Sequence, residues 1–62
     1  MSPEGSRILA VITTREGVVG GGVPVFLVAS EKERDQVSVL LSRILQAVVH
    51  DLQNGVYVIV RH

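Results

Sequence analysis

Three runs of this chain are apolar at almost every position, and the stretch between the second and third is apolar at helical spacing. Residues 7–14 (RILAVITT) are β-branched and apolar and close on two threonines, which predicts a first strand. Residues 23–29 (VPVFLVA) predict a second. Pro24 belongs at its beginning or on a sheet edge, because it has no N–H to give a ladder. Residues 56–61 (VYVIVR) predict a third.

A helix is predicted over residues 31–53. Ser30-Glu31-Lys32-Glu33 has the form of a capping box, in which the serine hydroxyl takes the N–H three residues on and Glu33 reaches back. Glu31, Glu33 and Asp35 suit the positive end of the helix dipole. Asn54-Gly55 supplies the left-handed residue that ends a helix. At about 100° per residue, Val37, Leu40, Leu41, Ile44, Leu45, Ala47, Val48 and Leu52 share one arc of roughly 160°, opposite Ser42, Arg43, Gln46, His50 and Gln53.

These elements predict an α+β fold in one small domain, β-β-α-β over residues 7–62, behind a flexible tail at residues 1–6. The first two strands are expected to pair as a hairpin across the glycine-rich segment Arg15–Gly22. A right-handed crossover through the helix then returns the third strand parallel to the second. The expected order is 2-1-3, with the third strand antiparallel to the first and the helix on one face.

The strands do not alternate apolar with polar, as a sheet with one wet face should. One helix covers one face, so the other exposes apolar surface beyond what monomers usually carry. Association through the sheet is therefore expected, with Leu9, Val11, Phe26, Val28, Tyr57 and Ile59, or the set of opposite parity, at the contact.

Size strengthens this expectation. A domain of 62 residues buries only about 60% of the surface its unfolded chain exposes, and is marginal alone. With no cysteine, disulfides and thiolate metal sites are excluded, and oligomerisation is the supplement left. Hydrophobic residues make up 47% of the chain and aromatics 3%, so the core is aliphatic. Six basic residues balance six acidic ones, and no net field favours nucleic acid or an anionic membrane. The polar N-terminus lacks the apolar run of a signal peptide, and no apolar run approaches the roughly 20 residues of a membrane helix; a cytoplasmic location is expected.

Candidate chemistry is sparse. Gly17-Val18-Val19-Gly20-Gly21-Gly22 resembles a phosphate loop only in its glycines. It leads into a strand rather than a helix, and lacks the Lys-Ser/Thr pair. A mobile connection is expected there, with Val18 and Val19 as an apolar tip that orders on a partner. Asp51 falls in the apolar arc near the helix end, where a carboxylate is doubly unfavourable. An ion pair with Arg7 or Arg61 would explain it. A metal site would need His50, His62 and a carboxylate to converge, which no spacing motif supports, and no cofactor is expected. No nucleophile elbow frames a serine, so no catalytic residue is assigned.

These readings point to a non-enzymatic module that binds itself, as a homodimer, or another protein. The alternative is a small nucleic-acid-associated protein whose basic surface forms on dimerisation, since five of the six basic residues are arginine. An enzyme with a site at a subunit junction near Arg15 has only the glycine loop in its favour.

Overall fold

In the computed structural model, which describes residues 7–18 and 21–62, the chain runs β1 (Arg7–Thr13), β2 (Val25–Leu27), α1 (Glu31–Leu45), β3 (Val48–Asp51) and β4 (Val56–Arg61). The expected tail at residues 1–6, and Val19 and Gly20 of the glycine loop, lie outside the described residues. The strands form one mixed sheet in the order β2-β1-β4-β3. The expected α+β class and the relative order of the three anticipated strands hold, with a fourth strand added at the edge.

That fourth strand corrects the helix. Ser30 caps α1 as expected: its Oγ accepts the Glu33 N–H at 3.1 Å, and the Glu33 carboxylate accepts the Ala29 N–H at 3.0 Å. The far end lies at Leu45, not residue 53. Gln46 takes the left-handed conformation (φ 53°), donating its N–H to the Arg43 carbonyl while Ala47 donates to that of Ser42. This pair of bonds closes the last turn as a Schellman motif. The Val48-Val49 pair beyond it suits a strand, and the Asn54-Gly55 signal serves the β3–β4 hairpin instead. Gln53 (φ 63°) and Gly55 (φ 91°) make that turn.

The second correction concerns β2, which pairs with β1 in parallel (Val11 with Val25, Ile12 with Phe26), not as a hairpin. Since β4 is antiparallel to β1, it is antiparallel to β2 as well, and the expected parallel return through the helix does not occur. Parallel neighbours need a connection that crosses a face of the sheet. The described residues of this connection, 14–18 and 21–24, lie on that crossing, and their apolar side chains Val18 and Val23 pack on Val11, Val56 and Val58. The face expected to lie bare is thus partly shielded from within the chain.

On the other face, Ala10, Ile12 and Ile59 meet Val37, Leu41 and Leu45 of α1, together with Val28, Ala47, Val49 and Tyr57. The helix is turned away from its expected arc. Arg34 and Ser38 are buried, whereas Leu40 (57% exposed) and Ile44 (73%) face outward. The Arg34 guanidinium lies 4.1 Å from the centre of the Tyr57 ring, and this cation–π contact draws that side of the helix down.

Candidate interaction surface

A register shift between Ile8 and Ala10 makes Leu9 an extra residue in β1. Ile8 pairs with Val60 and Val11 with Val58, so these two residues, three apart in sequence, line the same groove with Val18, Val23 and Leu52. The groove has a volume of about 890 Å³ and lies on the second face of the sheet, under the 14–24 connection. Its floor, Val11, Val56 and Val58, is buried; at its margins Ile8 is 48% and Leu52 51% exposed.

Arg15 holds the connection over this floor. Its N–H donates to Thr13 Oγ1 at 2.9 Å, and its guanidinium reaches across to the Asn54 carbonyl at 3.1 Å. Thr13 Oγ1 in turn donates to the Gly55 carbonyl at 3.4 Å. The stem of Arg15 lies so close to Gly55 that a Cβ there would stand 3.1 Å from its Cδ. The crossing loop and the β3–β4 turn are therefore clasped together at one end of the groove.

The expected contact residues do not share one surface. By register and packing, Phe26, Val28, Tyr57 and Ile59 lie on the helix side, Val11 lies on the groove side, and Leu9 is the bulge. The opposite-parity set is split as well, because Ala10 and Ile12 face the helix while Val56, Val58 and Val60 do not. The extra residue in β1 puts Ile8 on the side of Val11, and between Ala10 and Thr13, where alternation is unbroken, the register sets Ala10 and Ile12 rather than Val11 beside Ile59 and Tyr57.

Asp51 does not pair with Arg7 or Arg61. It stands opposite Tyr57 in the ladder, and its Oδ1 accepts the Gln53 N–H at 2.7 Å, a side-chain turn that starts the hairpin loop. Arg61, four residues further along β4, donates to the Leu45 carbonyl at the end of α1. Arg7 stands beside Arg61 in the ladder. In the glycine segment, Gly17, Gly21 and Gly22 have positive φ, and Val18 packs down on the sheet.

One feature escaped the sequence reading. Arg34 is 9% exposed; its guanidinium donates to the Tyr57 hydroxyl at 3.4 Å and its Nε stands 3.7 Å from the Asp35 carboxylate. The hydrogen bond with Asp35, then burial, raise the Tyr57 hydroxyl above its ordinary 10.0, with Arg34 opposing them. An arginine spaced three and seven residues before Val37 and Leu41 was the available signal. Of the three groups weighed for a metal site, the two histidines do meet: His50 and His62 bring their Nε2 atoms within 3.3 Å, with rings edge to face at 5.5 Å. Among the described residues, no three of His, Cys, Asp and Glu cluster in a way that holds a metal ion. Nor is any described helix long and apolar enough to cross a membrane.

Residues 5–62 match the family described as "Capping complex subunit for YIEGIA". The chain belongs to this family. It is also 42% identical over 55 residues to the uncharacterised protein YpzH of Bacillus subtilis (strain 168), across 89% of this chain and 86% of that protein. No solved structure matches. The matched segment of the YIEGIA-capping family takes in every strand, the helix and the whole groove.

Proposed function

We propose that this chain is a non-catalytic subunit of a protein complex and that its partner, a protein of the YIEGIA type named in the family description, docks in the groove on the second face of the sheet. The observation that carries the reading is the half-covered apolar surface, with a buried valine floor and exposed Ile8 and Leu52 at its margins. Such a margin gains most from desolvation by a partner, at roughly 25 cal/mol per Å² of apolar surface removed from water. The family description supplies the kind of assembly. The near-neutral charge and scattered arginines give a nucleic acid no continuous basic track, which favours a protein occupant.

The test is co-expression of the chain with a YIEGIA-family protein and measurement of the complex recovered through a tag on the latter. Ile8→Glu and Leu52→Glu should each reduce recovery by about tenfold or more, as loss of an interface anchor does. Leu40→Glu, on the outward side of α1, should leave recovery unchanged. Equal recovery for all three variants, each folded by circular dichroism, overturns the reading. A second copy in the groove would instead show as a homodimer abolished by the same two substitutions.

A further inference from the structure

The edge strand β3 carries His50 into contact with His62, beyond the end of β4, and nothing in the proposed docking role uses either residue. Register places His50 beside Val58 and Val48 beside Val60, so the pair lies on the groove side of the sheet at its β3 edge. Both rings are exposed. The chemistry turns on the 3.3 Å between the two Nε2 atoms. Zinc binds imidazole nitrogen at about 2.0–2.1 Å, and two such bonds at a tetrahedral angle leave their nitrogens about 3.3–3.4 Å apart. The 3.3 Å between the two nitrogens, a hydrogen-bond contact between the rings, matches the edge of such a tetrahedron.

Arg61, which precedes His62, turns its guanidinium to the Leu45 carbonyl on the helix side. With Nδ1 protonated, each ring presents its Nε2 as a donor to metal, and neutral imidazole is a ligand suited to zinc, copper and nickel rather than to magnesium or calcium. Two ligands are half of what a closed zinc site needs, and the described residues offer no third nearby. Beside the pair, Val48 is 50% exposed on a strand that, among the described residues, has no neighbour on its outer edge. A two-fold axis at that edge would bring a second His50 and His62 to the same ion and cover both valines.

We infer that His50 and His62 form half of a tetrahedral site for a zinc-class divalent cation, completed by the same two histidines of a second copy of the chain. The inference stands apart from the docking role, and its failure would leave that reading intact. Sedimentation velocity of the full chain, first with chelator and then with Zn²⁺ added, tests it. Zn²⁺ should raise the mass about twofold, with half a zinc bound per chain, and Mg²⁺ should do nothing. His50→Ala and His62→Ala should each abolish the shift while keeping the metal-free circular dichroism spectrum. With Co²⁺ in place of Zn²⁺, the intense visible absorption of tetrahedral cobalt should appear for the wild type alone. A mass that does not respond to Zn²⁺ overturns the inference, as does a dimer that survives His50→Ala or a monomer holding one zinc per chain.

Discussion

Gly55 shows how one residue secures the surface on which the docking proposal rests. Its φ of 91° lies where a side chain is strained, and the stem of Arg15 occupies the space a Cβ would need. Gly17 has nearly the same backbone angle (φ 84°) but open space around it. Comparing alanine at the two sites separates conformational strain from the clasp. Gly17→Ala should cost about 1 kcal/mol, the strain alone, and Gly55→Ala about 1–2 kcal/mol, because the Arg15 stem must also shift by a few tenths of an ångström and weaken its bond to the Asn54 carbonyl. Urea unfolding of both variants measures the difference. Equal losses would mean that the contact between loop and turn contributes nothing. Arg34 makes a related point in the core, where a buried guanidinium is held by the face of one ring and a neighbouring carboxylate rather than by a full set of hydrogen-bond acceptors.

The helix illustrates what was legible along the chain and what was not. Its start was readable because capping is local: the Ser30 hydroxyl and the Glu33 carboxylate act within one turn, and both bonds are present. Its end was not, because two signals competed. Val48 and Leu52 continue the apolar arc of a helix, yet Val48-Val49 followed by Asn54-Gly55 and VYVIV also describes a hairpin. Tertiary pairing of β3 with β4 decided the matter, with Gln46 adopting a left-handed conformation to make the break. That conformation is costly for a residue with a Cβ, so Gln46→Gly should stabilise the protein by about 0.5–1 kcal/mol. A raised thermal midpoint with an unchanged spectrum would bear this out; a lowered one would show that the Gln46 side chain contributes more than its backbone strain costs.

At the scale of the whole molecule, the parallel pairing of β2 with β1 and the shielding of the second face have a single cause. A hairpin would have left Val11, Val56 and Val58 to a partner; the crossing connection covers them with Val18 and Val23 and leaves only the margin open. The lack of alternation in the strands therefore signalled apolar residues on both faces, but did not say that a loop of the same chain would cover part of the second. No periodicity marks such a loop, since an irregular segment buries single side chains rather than a repeating face. If the connection is a structural cover, polar substitutions beneath it should act on folding even without a partner. Val18→Ser and Val23→Ser should each destabilise the isolated chain by about 1 kcal/mol, the value of a partly buried valine side chain. For a domain of this size that corresponds to a fall of about 4–8 °C in Tm. Both variants should also bind more of a dye that reports exposed apolar surface, as the valine floor opens to water. Unchanged melting and unchanged dye binding would mean that the connection rests on the sheet without stabilising it, and the second face would then rely on a partner for its cover.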